Sequence, residues 1–197
     1  MDASLEVVVG LGNPGPRYEA TRHNAGFWFA DRLAEKTGAS WRADNRSQGD
    51  LARVDVDGGT VWLLKPTTWM NHSGRSVASL VNYYRFEPSQ VLVAYDELDL
   101  PPGAVKLKTG GGHGGHNGLR DTISALGSPD FHRLRIGIGH PGHRDLVTPW
   151  VLSKPDKEDH DAIREAVDRA IDVLPFAVAG DFSEAMKRLH TRGSGLG

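Results

Sequence analysis

Apolar residues change their spacing several times along the chain, and each change marks an element. LEVVVGLG, residues 5–12, is an unbroken β-branched run closed by glycines, the mark of a strand buried on both faces. Helical spacing follows. In AGFWFADRLAEKTG, residues 25–38, Phe29, Ala30 and Leu33 share one face, Asn24 stands where a cap belongs and Gly38 is a natural stop. LARVDVDGGTVWLL, residues 51–64, reads as a hairpin turning at Asp57-Gly58-Gly59. Val77, Leu80, Val81 and Tyr84 make a helical stripe. VLVAY, 91–95, is another apolar strand, and AVKLKT, 104–109, alternates as a half-exposed strand does. A short helix over 118–127 and a strand over 132–139 come next. Further on, Ile163, Ala166, Val167, Ala170, Ile171 and Leu174 keep helical spacing, with Pro175 expected to disturb that helix and Gly180 to end it. DFSEAMKRLH is a last short helix opened by an Asp181…Glu184 capping pair, and TRGSGLG, 191–197, is expected to be a disordered tail.

Strands alternating with helices predict one three-layer α/β domain over residues 1–190. Its twisted sheet is expected to be mostly parallel, with the hairpin making it mixed. A chain of 197 residues can bury a real core, and 39% apolar with 24% charged residues is ordinary for a globular protein. The absence of cysteine excludes disulfides, thiol nucleophiles and cysteine-ligated zinc, and gives no reason to place the protein outside the cytosol. The N-terminus lacks the pattern of a signal peptide, and no apolar run approaches the ~20 residues that span a bilayer. A net charge of −2 argues against a general nucleic-acid binder. The charge is uneven, however: residues 101–150 hold 6 basic and 3 acidic side chains and five of the nine histidines. Such a segment can hold a phosphate-bearing partner, although a chance imbalance on a solvated surface is the plainer reading of charge alone.

Two glycine patterns invite a nucleotide reading, and neither survives it. Gly10, Gly12 and Gly15 spell G-x-G-x-x-G after a strand, but Pro14 and Pro16 stiffen the segment and helical periodicity begins only near Asn24. A dinucleotide site needs the helix to open at once. What remains is a rigid loop that holds Asn13 at the carboxyl end of the first strand. In KTGGGHGGHNGLRD, 108–121, six of the nine residues from Gly110 to Gly118 are glycine, yet no Lys-Ser or Lys-Thr closes a phosphate loop. Dense glycine between a strand and a helix more plausibly lets another backbone or a ligand come close.

Metal-assisted hydrolysis is the alternative. His113-x-x-His116 and His140-x-x-His143 are two similar pairs, and Asp96, Glu97 and Asp99 supply carboxylates. Neither pair lies on a clear helix, and His140-Pro141-Gly142-His143 reads as a turn. Serine chemistry lacks a G-x-S-x-G elbow, and Ser73 beside Gly74 suits a helix start. Another constellation is His23, just before a helix, with Asp96 at the end of an apolar strand. The helix end favours a neutral imidazole and the carboxylate favours a charged one, so the two influences oppose each other. Asn13, Asn71 and Asn117 each fall in a strand-to-helix loop or at a helix start. Singly each is best read as a cap or turn residue. Together they suit a base, an orienting acid and three amides at one sheet edge.

These stretches carry a resemblance. VVGLGNPGPRYEATRHNAGFWFAD (8–31), LLKPTTWMNHSGRSV (63–77), VLVAYDELDLPPGAVKLKTGGGHGGHNGLRD (91–121) and FHRLRIGIGHPG (131–142) resemble bacterial peptidyl-tRNA hydrolases in the same order over nearly the full length. The match is weaker after about residue 150. The resemblance implies a cytoplasmic, monomeric, metal-independent enzyme without a cofactor. Such an enzyme cleaves the ester between a peptide and the 3′ end of tRNA, and so recycles tRNA from stalled translation. It implies His23 as base, Asp96 as its support, and Asn13, Asn71 and Asn117 as substrate-holding amides, with Asn13 telling N-blocked from free aminoacyl-tRNA. Tyr18, Trp69 and Met70 match residues near the tRNA end and the peptide. Trp69 departs from the commoner Phe but keeps an aromatic face. Gly114 and His116 would line the cleft beside substrate, and Lys106, Lys108 and Arg135 match positions that contact tRNA phosphates. A tRNA- or peptide-binding module without catalysis is the other class, and the intact set of five polar residues argues against it.

Overall fold

A computed structural model describes residues 3–193. Seven strands form one sheet in the order β2-β3-β4-β1-β5-β7-β6. They are β1 (Val7–Gly10), β2 (Arg42–Asp44), β3 (Gly49–Val56), β4 (Gly59–Pro66), β5 (Val91–Glu97), β6 (Val105–Thr109) and β7 (His132–Gly137). The helices are α1 (Ala25–Thr37), α2 (Ser73–Tyr84), α3 (Asn117–Leu126), α4 (Val147–Val151), α5 (Lys157–Val178) and α6 (Phe182–Gly193).

The central strands β4, β1, β5 and β7 run parallel, and the expected hairpin β3–β4 supplies an antiparallel margin. The mixture goes further than the sequence pattern indicated. The three-residue β2 extends that margin, and β6 pairs antiparallel with β7 at the other edge, so three of the six pairings are antiparallel. β1 explains the three layers. Val8 faces a core built with Phe29, Leu33, Ile163 and Leu174, while Val7 and Val9 face a second core with Val77, Leu80 and Leu119. A strand buried on both faces needs apolar residues at every position, hence the unbroken run.

Helix ends follow local chemistry. Gly38 and Gly180 adopt left-handed conformations at the ends of α1 and α5, where glycine has no Cβ penalty. Pro175 does not end α5. It lies in the last turn, and the helix continues to Val178 because its apolar stripe stays packed on the core. Asp181 Oδ1 accepts the Glu184 backbone N–H, as the capping pair requires. Helix α6 runs on to Gly193, so residues 191–193 of the expected tail are helical, and residues 194–197 lie outside the described residues. No helix among the described residues is long and apolar enough to cross a membrane.

Candidate active site

The carboxyl ends of β1 and β5 lie side by side, and the Leu11 N–H donates to the Ala94 carbonyl at 3.0 Å. The start of α1 sits against both. A Cβ at Gly26 would lie 2.5 Å from the carbonyl oxygens of Leu11 and Ala94, so only glycine lets the helix approach this closely. Arg22–Asn24 form a single tight turn ahead of α1, and that turn brings His23 beside Asp96, 73 residues away in sequence.

His23 Nδ1 lies 2.8 Å from Asp96 Oδ2, and His116 Nε2 lies 2.7 Å from Asp96 Oδ1. The Asp96 side chain is 2% exposed and that of His23 13%. Burial alone would raise the Asp96 carboxyl. The electrostatic pull and hydrogen bonds of His23 and His116 outweigh it and hold Asp96 well below the usual carboxylate range. An ionised carboxylate only accepts, so both imidazoles must donate to it. His116 Nδ1 accepts the Leu119 backbone N–H at 3.2 Å, capping α3, and therefore carries no proton. His116 thus turns Nε2–H toward Asp96. His23 donates through Nδ1, which leaves Nε2 with a lone pair in the neutral ring and no partner among the described residues. Burial lowers the His23 imidazole, but the charge and hydrogen bond of Asp96 prevail and raise it above its ordinary value. The opposition between helix end and carboxylate is settled in favour of the carboxylate.

Asn13 is 8% exposed and held on every side. Its backbone N–H donates to Asn24 Oδ1 at 2.9 Å, and Asn24 Nδ2 donates to its carbonyl at 3.0 Å. The Met70 N–H donates to Asn13 Oδ1 at 2.7 Å, which fixes the amide's orientation and leaves Nδ2 as its donor. Asn24 occupies the cap position of α1, but its side chain makes no cap bond; it clamps Asn13 instead. Asn71 lies in a one-turn helix before α2, and Asn117 is the first residue of α3. Both are exposed. The two turns are locked together, since Asp121 Oδ2 accepts the Gly74 N–H at 2.8 Å.

Other expected site residues divide. Tyr18 and Trp69 meet edge to face with ring centres 5.9 Å apart, and Trp69 is 54% exposed. Clefts of about 370 and 540 Å³ open on either side of Thr67, the first reaching Asn13 and the second Trp69. Met70 is buried, so what it offers the site is the backbone N–H that aims Asn13. Gly114 is exposed with a left-handed backbone. Both ring nitrogens of His116 are engaged within the protein, on Asp96 and on Leu119, so its place is behind the reacting groups rather than on open cleft wall. Lys106 and Lys108 are exposed on β6, with Arg135 opposite Lys106 in the ladder. Arg135 Nε donates to Glu97 Oε1 at 2.8 Å, so its charge is partly engaged.

The two histidine pairs do not converge. His113 Nδ1 accepts the Gly115 N–H, His140 Nδ1 that of Gly142 and His143 Nδ1 that of Asp145, which are turn and cap bonds. One atom each from His23, Asp96 and His116 do lie within 4.8 Å of one another, near enough to share a cation. Each of those nitrogens already faces Asp96 across a proton, and a cation would have to displace both.

The sequence reading missed Asn24 as a clamp, Tyr95 beside His116, and Arg133. Tyr95 packs its ring on His116 at 5.2 Å, and burial, with the Glu97 charge, pushes its hydroxyl up to about 12. The sequence offered only a weak signal for Arg133, since it shares the strand HRLRIG with His132 and Arg135 and its burial is not written in the pattern.

A family model described as peptidyl-tRNA hydrolase matches residues 7–195. The chain is 60% identical over 189 residues to the peptidyl-tRNA hydrolase of Xanthomonas campestris pathovar campestris, covering 96% of this chain and 98% of that one. The enzyme of that description from Stenotrophomonas maltophilia is also 60% identical, with the same coverage. The crystal structure of peptidyl-tRNA hydrolase from Acinetobacter baumannii superposes with a TM-score of 0.92 at 45% identity, covering 96% of each chain.

Proposed function

This chain belongs to the peptidyl-tRNA hydrolase family, and from that premise we propose that His23 is the general base of its hydrolytic reaction. The activity itself, hydrolysis of peptidyl-tRNA in the service of translation, follows from membership. The observation that carries the reading of His23 is its pairing with Asp96, which orients Nδ1–H inward and leaves Nε2 as the acceptor. In this mechanism Nε2 takes a proton from water, the water oxygen attacks the ester carbonyl, and Asp96 stabilises the imidazolium. The proton then passes to the leaving 3′ oxygen of the tRNA. Asn71 and Asn117, exposed at helix starts, donate to the developing oxyanion, and Asn13 Nδ2 donates to the peptide.

Tyr18 and Trp69 offer a stacking edge to the tRNA end, and Gly114 leaves room for it. Lys106, Lys108 and the partly engaged Arg135 meet its phosphates. We take the enzyme to be a monomer, and a tRNA substrate suits a cytoplasmic enzyme. One continuous sheet with its covering helices supports a single domain reaching into the last helix.

The test is hydrolysis of an N-acetyl-aminoacyl-tRNA, with and without a strong chelator, by the parent and by His23→Ala. We expect chelator-insensitive cleavage, and a turnover loss of roughly 10²–10⁴ in the variant with little change in tRNA binding. The raised His23 imidazole must lose its proton to act, so kcat/KM should fall on acidification at a pH above the ordinary imidazole range. Near-parental turnover by His23→Ala would sink the assignment. Cleavage lost to chelator and restored by zinc would give the site to a metal.

A further inference from the structure

We infer that Arg133 is a positioning residue for the hydrolysis: its buried guanidinium grips the glycine-rich segment by two carbonyls and so presents His116 to Asp96. The inference rests on the reading of His23 and Asp96 as base and support.

The segment has little else to define it. Gly110, Gly111, Gly114 and Gly115 all have φ between 57° and 102°, and Gly111, Gly112, Gly114 and Gly115 are exposed. A run of glycines free in solvent would sample many shapes. Arg133 lies beneath it, 1% exposed, on β7. Its Nη1 donates to the Gly112 carbonyl at 2.6 Å, and Nη2 donates to the carbonyls of Gly111 at 2.7 Å and Pro129 at 2.9 Å. Among the described residues no carboxylate forms an ion pair with it, and Asp130 and Tyr95 are the titratable groups that feel its charge. Burial lowers its pKa, yet a guanidinium stays protonated. Its terminal nitrogens are bonded to carbonyls, Nε has no partner among the described residues, and the guanidinium lies 4.6 Å from the centre of the Phe131 ring. If Gly111 and Gly112 swung away, the Nη donors of a buried charged group would lose their partners, a cost that opposes the glycine entropy gained.

The far end of the segment meets another residue. Tyr95 lies on the neighbouring strand, where it feels the charges of both Arg133 and Arg135, and packs its ring on His116. So Arg133 holds the start of the segment directly, and Tyr95 backs its end at His116. His116 then supplies one of the two N–H groups that stabilise the Asp96 charge. A purely structural position in β7 would be served as well by an apolar side chain, since buried charges are often replaceable without loss of stability.

A looser segment has an electrostatic signature. Without the His116 donor, the Asp96 charge leans more on His23, and the imidazole pKa rises further. The groups facing this pair are Asp96 from β5 and His116 ahead of α3. Tyr95, Lys108 and the Arg135–Glu97 pair stand behind His116 and Arg133.

The experiment is to make Arg133→Met and Arg133→Lys. Each is assayed for kcat and KM on N-acetyl-aminoacyl-tRNA across pH, for thermal unfolding, and for amide exchange of residues 111–116. We expect folded variants with faster exchange in that segment. We also expect kcat down by about 10- to 100-fold with a smaller change in KM, and an acid limb moved to higher pH. Arg133→Lys keeps the charge but serves fewer carbonyls, and should fall between parent and Arg133→Met. An unmoved acid limb, or activity lost only in step with the folded fraction, overturns the inference. Failure of both variants to fold also overturns it, as that would make Arg133 a structural residue only. Failure of the base reading is separately visible, because it appears as an active His23→Ala enzyme whatever Arg133 does.

Discussion

Asn13 and Asn117 carry the same amide at the same sheet edge, and they are held in opposite ways. Asn13 follows a central strand, and its N–H, C=O and Oδ1 are each bonded to another segment. Asn117 begins a helix after a glycine run, with an exposed side chain and no amide partner among the described residues. One half of the site is built from crossed hydrogen bonds between distant segments. The other half is a flexible sequence disciplined from beneath by one cation. The first arrangement spends the N–H, C=O and Oδ1 on rigidity and leaves only Nδ2 unengaged. The second leaves its whole amide without a partner among the described residues, and its accuracy depends on what holds the loop.

The comparison can be broken or sharpened by substitution. The largest effect should come from Asn117→Ala. If the amide is an oxyanion donor, kcat should fall by about 10²–10³, with the melting temperature unchanged because no internal bond is lost. A matching loss of stability would show that Asn117 is not the free member of the pair. Asn24→Ala comes next and should do both things. It leaves the Asn13 N–H and carbonyl without partners in a buried place, costing roughly 1–3 kcal/mol of stability and lowering kcat/KM about 10-fold or more as Asn13 drifts. Parental stability in that variant would mean the clamp contributes nothing. The smallest effect belongs to the rim. Lys106→Ala should leave kcat alone, weaken tRNA binding a few-fold and reduce the slope of log affinity against log salt by about one. An unchanged slope would remove Lys106 from the phosphate path.

Legibility followed the range of the interaction. The unbroken valines of β1, the hairpin turn and the terminal glycines of α1 and α5 are local signals, and each appears in the fold where its spacing indicated. The short β2 was missed because RAD has no apolar pattern, and its pairing with Leu51, Asp50 and Gly49 is decided by the neighbouring strand. Pro175 lies inside α5, and the helix runs on to Val178, just before the expected stop at Gly180, because its apolar stripe stays packed. In the site, the histidine, aspartate and asparagines proposed as base, acid and amides were readable as residue types. His116 was read as cleft wall, whereas its two nitrogens serve Asp96 and Leu119. That correction depends on a bond across 20 residues, which no spacing rule contains.

The sequence by itself determined the elements, the two-faced burial of the central strands, the chemical inventory of the site and the family resemblance. These rest on side-chain type and period, which act over a few residues at a time. Only the tertiary structure decided which imidazole keeps a ring nitrogen without a partner among the described residues, that Asp96 raises rather than merely orients His23, that Asn24 serves Asn13 rather than its own helix, and that Arg133 bonds the glycine segment. Each of these depends on which groups share a small, dry volume. There a single hydrogen bond or neighbouring charge outweighs local preference, and the chain reaches that volume only after the sheet has assembled.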